Sequence, residues 1–141
     1  MVKPSILPIR ETHFSWLRTR MSVERTLMSW IRTSTALIGF GFTIFQFFER
    51  FSQMEGVAPP KNPNLVRTVA LLLIVLGTAG TFVGLIEYRN MVHYMWSDEF
   101  RDIAGVGEKP PLSPIFVIGV CILGVGLYAS VSVFTRTISG H

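Results

Sequence analysis

The chain has 141 residues, of which 49% are hydrophobic and only 16% are charged, so it is more apolar than most soluble domains of this size. Lys and Arg outnumber Asp and Glu by 13 to 9, and such a basic balance makes nucleic-acid binding a function to consider. Many of the basic residues precede the first apolar segment instead of forming a separate basic domain, so we expect a membrane protein without a nucleic-acid partner.

The N-terminal part of the chain predicts a long first helix. Pro4 and Pro8 indicate irregular structure at the start, and no Gly or Pro then follows until Gly39, so the helix is expected to begin near residue 12 and to end near residue 51. Its second half, residues 33–50, is apolar enough for a membrane span. The part before this span forms a long amphipathic extension.

Two further helices are predicted, each preceded by a loop rich in Pro and Gly. Residues 53–64 form the first loop, and the second helix contains a span over residues 66–87. Residues 105–114 form the second loop, and the third span covers residues 115–135. The fold class expected is therefore an all-α membrane protein with three transmembrane helices.

The spans leave little chain for any other unit. The longest piece outside them, residues 1–32, is shorter than an independent domain, so residues 1–141 are expected to form a single three-span domain. Nine Lys and Arg lie on the side of the N-terminus and the second loop, against four on the other side. The positive-inside rule then predicts a multi-pass inner-membrane protein with a cytoplasmic N-terminus and the C-terminus outside.

Residues with catalytic or metal-binding chemistry are few and scattered. Cys121 is the single cysteine and lies inside the third span, and the three histidines lack the spacing of a metal site. Asp98, Glu99 and Asp102 surround Arg101 and predict a solvated surface, not a catalytic carboxylate pair. We expect no enzymatic activity, no cofactor and no bound metal.

The most informative pattern lies on the first helix. Arg18, Arg25 and Arg32 are seven residues apart and share one face, with a drift of only about 20° per step. This face, which we call the arginine stripe, continues with small or polar residues: Ser22, Ser29, Ala36, Gly39, Thr43, Gln46 and Arg50. The opposite face is large and apolar: Leu27, Trp30, Ile31, Ile38, Phe42, Phe45 and Phe48. The stripe is expected to face protein or water, and the apolar face to meet lipid.

Small and polar residues on one side of a span favour contacts with other protein over contacts with lipid. We therefore predict a homo-oligomer of three to five copies, in which the following residues face the other copies: Ser29, Thr33, Gly39, Thr43 and Gln46. The glycines of the second span, Gly77, Gly80 and Gly84, predict a close approach of two helices without indicating whether the partner is the same chain.

Arginines at membrane depth are typical of anion paths or of buried ion pairs, because a lone charge at the bilayer centre costs at least about 2.5 kcal/mol. Glu24 and Glu87 are the acidic residues available as salt-bridge partners for Arg25 and Arg89. Binding of anionic lipid headgroups at the cytoplasmic surface is the alternative for the arginines, most of all for Arg18.

The motif Glu24-Arg25-Thr26, followed by Trp30 and by Arg32-Thr33, resembles the signature of the YidH-type small membrane proteins of the domain of unknown function 202 family. The resemblance covers nearly the whole chain, since that family also has three spans, a glycine-rich second span and a Tyr-Arg pair, here Tyr88-Arg89. It implies a relation to the membrane part of the eukaryotic vacuolar transporter chaperone complex, which passes polyphosphate through a pore of assembled copies.

Carried over to this chain, the resemblance implies that Arg18, Arg25 and Arg89 face a pore, with Glu24 as an internal salt-bridge partner. The chain has no soluble polymerase domain, so polyphosphate synthesis is not expected. The leading hypothesis is a homo-oligomer with an anion-binding or polyphosphate-binding path formed by Arg18, Arg25, Arg32 and Arg89. The alternative is a structural or accessory membrane subunit without transport activity, whose stripe packs against a partner or binds lipid headgroups.

Overall fold

The computed structural model describes residues 10–54, 56, 61–96 and 113–139, and these form three helices. The helices are α1 (Arg10–Phe51), α2 (Pro63–Met95) and α3 (Pro114–Ser139). Pro63 and Pro114 stand at the starts of α2 and α3, where a missing backbone N–H leaves no helical hydrogen bond unmade. The predicted all-helical class is confirmed, and α1 is long, with 42 residues.

Helices α1 and α2 run antiparallel and pack closely through the glycines of α2. A Cβ atom added to Gly77 would lie 2.7 Å from the backbone oxygen of Ser34, and one added to Gly84 would lie 2.9 Å from the Cβ of Trp30. Gly80 likewise approaches the Ser34 hydroxyl. The close approach predicted for the glycines of the second span is therefore made with the first helix of the same chain.

Helix α3 lies against both other helices and completes the core. Its Gly119 approaches the side chain of Leu85, and Tyr88 of α2 stacks on Phe116 with 6.0 Å between ring centroids. The buried core residues from the three helices are Trp16, Leu27, Ile31, Ile38, Phe45, Ala70, Ile74, Leu85, Tyr88, Met95, Ala129 and Val133. The core thus extends from one end of the bundle to the other.

The expectation that the apolar face of α1 meets lipid is wrong for its central residues. Leu27, Ile31, Ile38 and Phe45 are buried against α2 and α3. Helical periodicity shows that these residues share a face, but a neighbouring helix of the same chain can cover that face as well as lipid can. Trp30 remains partly exposed at the edge of the contact.

Two helices are long and apolar enough to cross a membrane, over Pro63–Met95 and Pro114–Ile138. Only 39% of the apolar window in α2 and 17% of that in α3 is buried within the chain. A core helix of a soluble protein would be mostly buried, so these outward apolar surfaces indicate a membrane protein.

The structure thus contains two candidate spans, α2 and α3, and the prediction of three spans is not confirmed. Helix α1 is not apolar enough to count as a candidate span, because polar residues in its second half lower the hydropathy there. These polar residues are Thr33, Ser34, Thr35, Thr43 and Gln46.

Candidate functional site

The three arginines Arg18, Arg25 and Arg32 of the stripe lie on the side of α1 that faces away from α2, whereas Ser22 lies at its edge, beside α2. Arg18, Arg25 and Arg32 are exposed, whereas Leu27 and Ile31 on the other side are buried. Arg25 and Leu27 are two residues apart, which corresponds to about 200° around the helix. The described part of the chain therefore leaves Arg18, Arg25 and Arg32 uncovered.

The residues predicted to face other copies are all exposed in the single chain. Thr33 donates its hydroxyl to the backbone oxygen of Ser29 at 3.1 Å, and Thr43 donates to the backbone oxygen of Gly39 at 2.8 Å. Each threonine hydroxyl is thus hydrogen-bonded within its own helix and can face an apolar surface at little cost. A Cβ atom on Gly39 would have no atom within 4 Å, so this part of the stripe is open to a partner. The contact between copies stays a prediction.

The ion pairs among the described residues do not include Arg18, Arg25 or Arg32. The Glu24 carboxylate forms an ion pair with Arg20 at 3.7 Å and not with Arg25, because residues four apart lie on the same side of a helix and consecutive residues do not. Arg20 also lies 5.8 Å from the ring centroid of Trp16. Within residues 14–54, 61–96 and 113–139, no acidic group lies within 4.0 Å of Arg18, Arg25 or Arg32.

Arg89 follows the buried Tyr88 on α2 and is exposed. In the described part of the chain, no ion pair or side-chain hydrogen bond joins it to the stripe or to Glu87. The fold therefore brings Arg18, Arg25 and Arg32 onto one face but leaves Arg89 on a different helix. All four arginines can line one path only if several copies of the chain are in contact.

A groove of about 230 Å³ lies between α1 and α2 and is open on the side away from α3. Ser22, Thr26 and Trp30 of α1 and Glu87 and Met91 of α2 line it. We call this feature the α1–α2 groove. Its one carboxylate, Glu87, has no cationic partner within 4.0 Å among the described residues.

The opposite end of the bundle carries an ion pair that the sequence reasoning missed. Arg136 of α3 donates to the Glu49 carboxylate of α1 at 3.1 Å and fastens the ends of these helices together. Arg50 and Gln46 lie beside this pair and line a polar cleft of about 280 Å³. The two partners are 87 residues apart, and no sequence spacing connects them.

Metal chemistry finds no support in the described residues, which hold no cluster of three His, Cys, Asp or Glu side chains. Asp98, Glu99 and Asp102 lie outside the described residues. Cys121 is a free, exposed cysteine on α3.

A model of the family described as domain of unknown function DUF202 matches residues 18–94, which is more than half of the chain. The chain belongs to the DUF202 family. The DUF202 match begins at the first arginine of the stripe and ends at the last turn of α2, so it contains the stripe, the α1–α2 contact and the groove. Neither a curated protein nor a solved structure matches the chain.

Proposed function

We propose that this DUF202 protein assembles as a homo-oligomer of three to five copies in the inner membrane, with the arginine stripes around a central path that binds inorganic anions or polyphosphate. The observation that carries the proposal is the position of Arg18, Arg25 and Arg32. They lie on a face of α1 that the described residues do not cover, and none of those residues supplies an acid that neutralises them. The proposal includes no catalytic step.

The proposal requires that α1 crosses the membrane beside α2. Support comes from the contacts of Gly77 with Ser34 and of Gly84 with Trp30, which hold α1 alongside α2 within its apolar segment. A helix packed this closely against a span lies in the same layer of the bilayer. The hydroxyls of Thr33, Thr35 and Thr43 bond to their own helix, which lowers the cost of placing them there.

The charge of Arg32 favours a path that contains water. Arg32 directly precedes the apolar segment of α1 and lies on the same face as its small and polar residues, so a water-filled path between copies would hydrate a charge that lipid cannot. Several copies would place a ring of guanidinium groups at this level, and such rings attract anions and exclude cations. Arg18 and Arg25 extend the positive field toward the N-terminal end of α1.

The test is a measurement on purified protein in liposomes. Under a potassium chloride gradient we expect a current whose reversal potential shows anion selectivity, together with saturable binding of short-chain polyphosphate and a light-scattering mass of three to five copies. A monodisperse monomer in mild detergents and in nanodiscs would contradict the assembly. An oligomer that neither conducts nor binds either anion would support an accessory structural role instead.

We predict that the N-terminus lies in the cytoplasm and the C-terminus outside, because nine of the thirteen Lys and Arg lie on the side of the N-terminus. Reporter fusions after His141 that are active only outside the cytoplasm should give signal, and the same reporters placed before α1 should not. Signal from a reporter that is active only in the cytoplasm, fused after His141, would reverse this topology.

A further inference from the structure

The α1–α2 groove and the arginine stripe carry opposite charges at the same level of the bundle. Glu87 lines the groove together with Ser22 and Thr26 of α1. Arg25 lies between these two residues in the sequence and belongs to the same turn of α1, but it is outside the groove and exposed. Glu87 and Arg25 are therefore matched in height along the bundle and separated around it.

Neither charge has a partner of opposite charge among the described residues. Among the described residues, Glu87 has no cation and Arg25 has no carboxylate within 4.0 Å. Glu24, the acid next to Arg25 in the sequence, is already paired with Arg20. An exposed carboxylate and an exposed guanidinium near a membrane surface both gain from a partner of opposite charge.

We infer that Glu87 of one copy pairs with Arg25 of the adjacent copy, so that the edge of one arginine stripe docks onto the α1–α2 groove of the next chain. The inference rests on the proposed homo-oligomer and names the contact that builds it. The occupant of the groove is a second copy of this chain, because the chain itself supplies the complementary charge at the matching height.

This contact joins two different surfaces, a groove and a stripe edge. Such a heterologous contact repeats from copy to copy and closes into a ring when the rotation allows it, whereas contact between two identical surfaces stops at a pair. A ring built in this way keeps Arg32 of every copy free of Glu87. Arg25 then serves the contact between copies instead of the path, and Arg18 and Arg32 carry the anion-binding charge.

The test reverses each charge separately and then combines the two variants. Glu87→Arg and Arg25→Glu should each shift the purified protein from the wild-type mass toward monomer, because each creates like charges at every contact between copies. The double variant Glu87→Arg with Arg25→Glu should restore the wild-type mass, because every contact between copies then again joins opposite charges, whatever the number of copies. Lys61→Glu reverses an exposed charge that lies outside both the groove and the stripe and is in no ion pair among the described residues, so it is the matched control, expected to keep the wild-type mass.

Cross-linking in native membranes covers the case in which a charge-reversal variant fails to fold. In a Cys121→Ser background, Glu87→Cys combined with Arg25→Cys should give a ladder of disulfide-linked species on oxidation, whereas Glu87→Cys combined with Thr43→Cys should give none. This inference alone would be overturned if the wild-type protein is oligomeric and neither charge-reversal variant changes the oligomer mass. It would also be overturned if the cross-linking is no greater than in the control pair. A wild-type monomer would overturn both the inference and the proposed function.

Discussion

Replacing Gly77 by alanine is expected to lower the free energy of unfolding by about 1 to 3 kcal/mol, the usual range for overpacking a tight contact. The added Cβ atom would lie 2.7 Å from the backbone oxygen of Ser34 and 2.8 Å from the Cγ1 of Ile38. A backbone oxygen in a helix cannot rotate away, so α1 and α2 must move apart along their main contact. Thermal unfolding in detergent, followed by circular dichroism, measures the effect.

The matched control for this substitution is Gly124→Ala on α3. A Cβ atom at Gly124 meets no atom within 4 Å, and both substitutions gain the same helix propensity of up to about 1 kcal/mol. The difference between the two variants therefore isolates the packing of α1 against α2. Equal melting temperatures for both variants would show that α1 and α2 do not approach closely at Gly77.

The Arg32→Gln variant is expected to show the largest loss of function. A hydrogen bond from a charged group contributes about 1.5 to 3 kcal/mol, which corresponds to a loss of at least about tenfold in anion or polyphosphate affinity. No described residue forms an ion pair with Arg32, so its removal leaves no unpaired partner, and the fold and the oligomer mass should be unchanged. Liposome flux, polyphosphate titration and light scattering on the same preparation measure these quantities.

Two variants sharpen the interpretation of the Arg32 result. Arg32→Lys keeps the charge and should retain most of the flux, which separates an electrostatic role from a packing role. Arg67→Gln removes the same charge at the first turn of α2, away from the stripe, and should leave flux unchanged. Full flux in Arg32→Gln, or a lower melting temperature as its main effect, would favour a structural role for the stripe.

The bounds of the helices were predictable from local chemistry. Proline cannot donate a backbone hydrogen bond within a helix, so Pro63 and Pro114 fit the starts of α2 and α3. The common face of Arg18, Arg25 and Arg32 was predictable from helical periodicity, since seven residues are close to two turns.

The surroundings of each face depended on tertiary structure. The sequence by itself determined that α1 has a stripe of arginines opposite an apolar face, and that Gly77, Gly80 and Gly84 allow a close helix contact. Only the packing of the chain decided that the apolar face and the glycines meet each other. A helical period fixes the angle between side chains on one helix, but the neighbour that covers a face is selected by the shape and charge of residues far away in the sequence. The pairing of Glu49 with Arg136 depends on the same long-range selection, because it forms only when the ends of α1 and α3 lie together.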